Sequence, residues 1–273
     1  MKADRRRITP VVINADDFGY GQDVNAAILE ACHKRCISSA TIMANGPAVA
    51  EALAMADRLP EVSFGIHLNL TEFSPLRPAY EMRAVGLVDG NGSFLGNALR
   101  QLRPSAKLLE ACYEELNQQL LRLHEQGLRP THLDSHHHIH TIPWLLPVIW
   151  RLQKKYRIFR MRNTLNVYET TTADAPRLRL LAAKKIWQTT SFLLGSKMPQ
   201  RFSSLQVFLA DPFRPEFTTA SSIELMCHPG QGGFEAETHQ LLSKGPSVLP
   251  AGFRLANYCE TLASSSTDLR LWS

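Results

Sequence analysis

Short apolar runs alternate with stretches of helical periodicity along most of the chain. The runs PVVIN, SSATIMAN, SFGIHLNL, THLDS, IFRMR and SIELMC have the length and composition of buried strands. Amphipathic stretches of helical spacing lie between or after them, at residues 23–35, 48–59, 98–127, 143–156, about 174–197 and 250–264. Strands that alternate with helices predict βαβ units and a mainly parallel sheet. The pattern is therefore typical of an α/β fold.

One segment, from about residue 73 to residue 97, interrupts this alternation. It contains the turn sequence DGNG, which predicts an inserted loop or hairpin. The chain shows neither an internal repeat nor a linker rich in proline, glycine or serine. We therefore expect a single domain over residues 1–273, with a core at about 9–263, a short basic N-terminal segment and a loose C-terminal tail.

The composition is that of a globular protein, with 44% hydrophobic and 20% charged residues. The net charge of +5 is mild and comes with no nucleic-acid-binding motif, so we predict no nucleic-acid partner. Peripheral contact with a membrane and an anionic substrate remain alternatives for the basic residues. No apolar run approaches the roughly 20 residues of a spanning helix, and MKADRRRITP is not followed by a signal-peptide core. These features predict a cytoplasmic protein without a transmembrane segment.

The five cysteines do not predict a disulfide framework, because their number is odd and the chain is long. Cys32 and Cys36 share a face of a predicted helix and are interpreted as small buried residues.

Polar residues that bind metals or transfer protons stand at the ends of four of the apolar runs. VVIN is followed by Asp16 and Asp17, FGIHLN contains His67, and ELMC is followed by His228. THLDS is followed by four histidines at positions 136, 137, 138 and 140. In an α/β barrel the carboxyl ends of the strands meet at one face, where active sites are built. The sequence therefore predicts that these residues form a single site.

Strand alternation indicates which of these side chains share a face. If the extended conformation continues, Asp134, His136, His138 and His140 point one way and His137 points away. A carboxylate with two imidazoles is a common ligand set for a divalent ion. Asp16 and Asp17 are neighbours that point in different directions, so one can bind the ion while the other acts as a base.

The motifs NADDFG, HLNLT, THLDSHHHIH and MCHPG, in this order, resemble the YdjC/ChbG-like carbohydrate deacetylase family, which includes chitooligosaccharide deacetylases and hopanoid-associated HpnK-type members. The resemblance runs from about residue 11 to residue 230. It implies a distorted (β/α) TIM-like barrel that hydrolyses the acetyl amide of an N-acetylated sugar.

The resemblance also implies roles for individual residues. Asp17, His67 and His136 would bind one divalent metal ion, magnesium or zinc, with manganese or cobalt as alternatives. Asp16 would be the general base and His228 the general acid. Residues expected to support the site or bind substrate are Asn14, Asp134, His138, His140 and Arg162. We also expect a homodimer.

Each assignment has a simpler alternative. His67 on an apolar strand could be a core histidine, Asp134 a helix cap, and Arg162 part of a surface salt bridge rather than a contact to an anionic group. At the level of function, two alternatives to an N-deacetylase remain. One is a barrel hydrolase acting on phosphodiesters or cyclic amides, and the other is a sugar- or metal-binding protein without catalysis. The sugar could be an oligosaccharide, a nucleotide-linked sugar or a lipid-linked sugar.

Overall fold

Seven strands form one sheet in the computed structural model, which describes residues 8–168 and 178–262. They are β1 (Thr9–Phe18), β2 (Ser39–Ile42), β3 (Ser63–Leu68), β4 (Leu133–Ser135), β5 (Arg201–Ser204), β6 (Ile223–Cys227) and β7 (Phe253–Leu255). The order across the sheet is β4-β3-β2-β1-β6-β5, and β7 pairs with the first residues of β1. Every pairing is parallel.

The sheet curls into a half-barrel with helices on its outside, which confirms the predicted α/β, TIM-like fold. The helices are α1 (Gln22–His33), α2 (Val49–Ala56), α3 (Ala79–Ala84), α4 (Ala106–Glu125), α5 (Leu146–Tyr156), α6 (Leu178–Leu193), α7 (Leu205–Ala210), α8 (Pro215–Thr218), α9 (Glu235–Lys244) and α10 (Tyr258–Thr261). Four short 3₁₀ segments, Gly96–Gln101, His136–Thr141, Pro143–Leu145 and Gly245–Val248, complete the described elements.

Strand β1 is the centre of the sheet. Val11, Val12 and Ile13 have no exposed surface, which explains why this strand reads as a continuous apolar run rather than an alternating one. Residues 11–15 pair with residues 223–227 of β6 on one side, and β2 pairs on the other. The residues at the carboxyl end of β1 therefore lie at the middle of the carboxyl edge of the sheet.

The segment at 73–97 contains the predicted hairpin-like turn. Val88 and Phe94 form an antiparallel bridge around the DGNG sequence, and Asp89 N–H donates to the Ser93 carbonyl at 2.8 Å. Helix α3 precedes this turn, which the sequence pattern did not indicate.

Two predicted elements are wrong in detail. The IFRMR run forms only isolated bridges at Arg160 and Met161, because its neighbours on the two sides are single residues. Within the described residues, the predicted closing helix at 250–264 is replaced by β7, which pairs with β1, and by the short helix α10. Strand β5 and helix α9 were not predicted. The basic N-terminal segment, residues 174–177 of the predicted helix and the C-terminal tail lie outside the described residues.

Cys32 and Cys36 are buried free thiols, as predicted, and so are Cys112 and Cys227. No helix in the described part of the chain is both long and apolar enough to cross a membrane.

Candidate active site

Three potential metal ligands meet at the carboxyl edge of the sheet. Asp17 is the last residue but one of β1, His67 lies on β3, and His136 directly follows β4. The Asp17 Oδ1 atom is 3.1 Å from His67 Nε2 and 2.8 Å from His136 Nδ1. All three side chains are buried, with at most 6% of each residue exposed. The structure thus brings together the three residues that the sequence motifs selected as a ligand set.

The backbone at Asp17 explains how two neighbouring aspartates serve different partners. Asp17 has φ = +66°, in the left-handed region that non-glycine residues rarely adopt, and the pairing of β1 with β2 shifts register between Ala15 and Phe18. The turn is closed by a hydrogen bond from Tyr20 N–H to the Asp17 carbonyl at 2.9 Å. This irregularity directs Asp17 towards the imidazoles and Asp16 towards the interior of the sheet.

Asp134 fixes the orientation of His67. The His67 Nδ1 atom is 2.7 Å from Asp134 Oδ1, and Thr41 donates to Asp134 Oδ2 at 3.0 Å. With Nδ1 bound in this way, Nε2 faces Asp17. Burial alone would lower the pKa of His67, but the carboxylates of Asp134 and Asp17 outweigh it and raise that pKa to about 10. The helix-cap alternative for Asp134 is wrong, because its side chain binds His67 and Thr41 instead.

His136 lies between two carboxylates. Its Nδ1 atom contacts Asp17, and its Nε2 atom is 2.8 Å from Glu72 Oε2. Glu72 Oε1 accepts a hydrogen bond from Tyr20 Oη at 3.3 Å, and contact with His136 lowers the pKa of Glu72. Glu72 was not selected from the sequence. Its only signal was its position directly after HLNLT.

Asp16 is held by a fully buried arginine, Arg162. Arg162 donates from both terminal nitrogens to the two carboxylate oxygens of Asp16, each at 2.7 Å. The same guanidinium is 2.8 Å from Asp134 Oδ2 and 2.7 Å from Glu224 Oε1. Burial would raise the pKa of Asp16, but the charge of Arg162 outweighs burial and keeps that pKa below its ordinary value. The surface salt bridge considered for Arg162 is wrong, because its side chain has no exposed surface and binds three carboxylates inside the protein.

Asn14 joins this cluster from β1. Its amide donates to Asp16 Oδ1 at 2.8 Å and to Thr41 Oγ1 at 3.0 Å. The Asp16 carboxylate therefore accepts three hydrogen bonds, one from Asn14 and two from Arg162. A carboxylate offers about four acceptor positions, so one position remains.

His228 directly follows β6, the strand beside β1. Because Ala15 pairs with Cys227, the next residues on the two strands, Asp16 and His228, are neighbours at the sheet edge. The His228 backbone N–H donates to Glu237 Oε1 at 2.6 Å, and the imidazole packs on the Phe234 ring at 4.3 Å. Burial lowers the pKa of His228, so its ring is mainly neutral at neutral pH.

The prediction that His138 and His140 share one face with Asp134 and His136 is wrong. Extended structure ends at Ser135, and His137 and His138 both have positive φ, so strand alternation stops there. His140 is fully buried, with Nδ1 beside Ser135 Oγ and its ring 6.1 Å from that of Trp187. His138 instead lines a cavity next to the site.

The donor set fits a divalent cation. One carboxylate oxygen and one nitrogen from each of two imidazoles lie within 4.8 Å of one another at Asp17, His67 and His136. A mixed set of this kind suits zinc, cobalt or manganese, and magnesium less well. Asp16, His67 and Asp134 also bring three donors together, but the Arg162 guanidinium bound to both carboxylates already supplies positive charge there.

Comparison with known proteins identifies the family to which the chain is similar. Residues 10–259 match the family model described as YdjC-like protein. A carbohydrate deacetylase of Geobacillus stearothermophilus is 40% identical over 166 residues, which are 60% of this chain and 64% of that protein. A chitooligosaccharide deacetylase of Enterobacter sp. (strain 638) is 31% identical over 223 residues, 80% of this chain and 81% of its own.

The match to the Geobacillus protein spans less than two thirds of its length. Among solved structures, a protein of Enterococcus faecalis assigned provisionally to cellobiose-phosphate cleavage superimposes with a TM-score of 0.72 at 25% identity. That alignment covers 94% of this chain and 99% of the other.

Proposed function

Because the chain belongs to the YdjC-like protein family, we propose that it is a metal-dependent carbohydrate deacetylase that hydrolyses the acetyl amide of an N-acetylated amino sugar. The products are acetate and a free amine. We also propose that the chain acts as one catalytic domain. The homodimer and the cytoplasmic location stay predictions.

One observation carries this proposal. The buried set of potential metal donors lies beside the Asp16 carboxylate, which is paired with Arg162. His228 follows the adjacent strand, β6. A protein that only binds a metal needs the donor set but needs neither Asp16 nor His228 beside it. Hydrolysis of an amide needs both a base for water and an acid for the leaving amine.

We propose that Asp17, His67 and His136 hold the divalent ion. When bound, the ion supplies Lewis-acid polarisation of the amide carbonyl and water of lowered pKa. Asp134 keeps the proton of His67 on Nδ1, which leaves Nε2 as the donor atom. The nitrogen and oxygen donors favour zinc over magnesium.

Asp16 is the general base in this proposal. Arg162 keeps its carboxylate ionised, and the acceptor position left free by Asn14 and Arg162 can take the proton of the attacking water. The same guanidinium fixes the carboxylate in one orientation, which the transfer of a proton requires.

His228 is the general acid. Burial makes its protonated form a stronger acid than an exposed histidine, so that form transfers a proton readily to the departing amine. The protonated fraction falls as pH rises through this lowered pKa. We therefore expect the alkaline limb of the activity profile to lie below the ordinary range of a histidine.

Acetate release from a panel of N-acetylated sugars tests the proposal. The zinc-loaded protein should release acetate, chelation should abolish it, and Asp16→Asn should lower kcat about 10²- to 10⁴-fold. Asp57→Asn, an exposed residue after α2, is the matched control and should leave kcat unchanged. Metal binding without acetate from oligosaccharide, nucleotide-linked or lipid-linked substrates would refute deacetylation. It would favour a phosphodiesterase or a binding protein.

A further inference from the structure

A cavity of about 270 Å³ lies beside the candidate active site, between the histidine turn after β4, helix α6 and strand β5. The side chains that give it its character are Arg100, His138, Asn163, Lys184, Trp187 and Phe202. At roughly 30 Å³ for each water molecule, it has room for about nine waters, enough for a charged group and part of a sugar. None of the functions assigned above uses it.

The inner wall of this cavity adjoins the catalytic cluster. The Phe202 ring lies 4.9 Å from the guanidinium carbon of Arg162 and 5.7 Å from the His138 ring. Asn163 directly follows Arg162, and His138 is two residues beyond His136. The cavity therefore shares its Phe202 wall with the Arg162 cluster, and its lining includes a residue two positions after His136.

Three polar groups that line the cavity, on Arg100, Lys184 and Trp187, can only donate hydrogen bonds. Trp187 is 4% exposed, and its indole N–H has no hydrogen-bond partner among the described residues. An indole nitrogen only donates, so this buried group lacks an acceptor, and Trp187 is itself part of the cavity wall.

The charge of the cavity has one sign. Lys184 donates to Asn166 Oδ1 at 3.3 Å and to the Tyr168 hydroxyl, and Arg100 donates to the His137 carbonyl at 2.5 Å. These partners are all neutral. The lining residues include two cations and, within the described part of the chain, no carboxylate.

These observations distinguish between ligand classes. A neutral sugar hydroxyl donates as well as accepts, and it gains little from two cations. Phosphate offers several strong acceptor oxygens and negative charge, which match an indole N–H, an ammonium and a guanidinium.

We propose that this cavity is an anion subsite that holds a phosphate group attached to the amino-sugar substrate. The inference rests on the proposed deacetylase function for the identity of the sugar, but not for the binding of phosphate. The phosphate can belong to a sugar phosphate, a nucleotide diphosphate sugar or a lipid diphosphate sugar, which share this chemistry.

The first test compares substrates on the zinc-loaded protein. The ratio of kcat/KM for N-acetylglucosamine 1-phosphate to that for N-acetylglucosamine should be well above one, and should fall at least tenfold in Lys184→Gln. Lys185→Gln changes an exposed neighbour on α6 and should leave the ratio unchanged. Nucleotide-linked and lipid-linked substrates in the same assay show which source of phosphate is preferred.

The second test does not depend on catalysis. Calorimetric titration of the metal-free protein with inorganic phosphate should give saturable binding that weakens at least tenfold in Lys184→Gln. Trp187→Phe keeps the ring and removes the N–H, so it should weaken binding severalfold, with an unchanged melting temperature as the check on folding.

The outcomes separate the two proposals. If phosphate binds through Lys184 but no acetate appears, the deacetylase function fails and the anion subsite stands. If acetate is released and Lys184→Gln changes neither the substrate ratio nor phosphate binding, the anion subsite is refuted and the deacetylase function stands.

Discussion

Arg162 should be the side chain whose loss destabilises the protein most strongly near the site. Arg162→Met keeps an unbranched apolar chain but removes a guanidinium that forms two bonds to Asp16 and one contact each to Asp134 and Glu224. Removing one partner of a buried ion pair costs about 3–5 kcal/mol, because the remaining charge is left buried. We expect a loss of about 4 kcal/mol at pH 7, a large part of the roughly 5–15 kcal/mol of a typical domain.

The loss should depend on pH with a defined sign. In the native protein the pKa of Asp16 is lowered, so its stabilising contribution is present above the ordinary aspartate pKa and is lost as pH falls through the folded value. Without Arg162, burial raises the pKa of this carboxyl instead, and stability is then lost as pH rises. The difference between the variant and the native protein should therefore be larger at pH 8 than at pH 5.

Urea unfolding of the metal-free protein, followed by circular dichroism at pH 5 and pH 8, measures this difference. Arg160→Met is the matched control, since Arg160 is two residues away and partly exposed. It should change the free energy of unfolding by less than about 1 kcal/mol. A difference for Arg162→Met that is below about 1 kcal/mol, or that is equal at both pH values, would refute the assignment of Arg162 as the holder of Asp16.

Three further substitutions test other contacts. Asp134→Asn removes the carboxylate that orients His67 and should weaken zinc affinity about 10- to 100-fold in a competition titration. Burial raises the pKa of Glu237 to about 7, so stability is lost as pH rises through that value; Glu237→Gln should raise the unfolding free energy by up to about 3 kcal/mol at pH 8 and not below pH 5. At Gly65, a Cβ atom would lie 2.6 Å from His132 Nε2, so Gly65→Ala should cost about 1–3 kcal/mol, seen as a lower melting temperature.

A defined result would contradict each of these predictions. Unchanged zinc affinity in Asp134→Asn would mean that His67 needs no support, and equal gains at pH 5 and pH 8 would show that Glu237 is not held against its ionisation. Gly90→Ala is the control for the glycine change, because a Cβ atom there meets nothing within 4 Å.

The ligand set could be predicted because it depends on topology. The carboxyl ends of parallel strands share one edge, so residues that end β1, β3 and β4 must be near one another once the strands are recognised. Strand ends placed Asp16, Asp17, His67 and the histidines after β4 at one edge, and the family resemblance selected Asp17, His67 and His136 among them as the expected ligands. The end of β6 adds His228 by the same reasoning.

Asn14, Asp134 and Arg162 were expected near the site, but the contacts among them could not be predicted, because these depend on backbone irregularities and on pairs formed across the sheet. Positive φ at His137 and His138 ends the alternation that assigned His138 and His140 to one face. The partners of Arg162 come from β1, β4 and β6, and no spacing in the sequence links them. Glu72 follows a strand in an irregular loop, where periodicity carries no information.

The position of β1 between β2 and β6 has a consequence for the order of assembly. Its partners on the two sides are residues 39–42 and residues 223–227, so one neighbour is synthesised soon after β1 and the other about 200 residues later. All three metal donors precede residue 137, whereas Arg162 and His228 come later. On the ribosome, the residues that we propose as metal donors are thus synthesised before the arginine that holds Asp16 and before the histidine proposed as the acid.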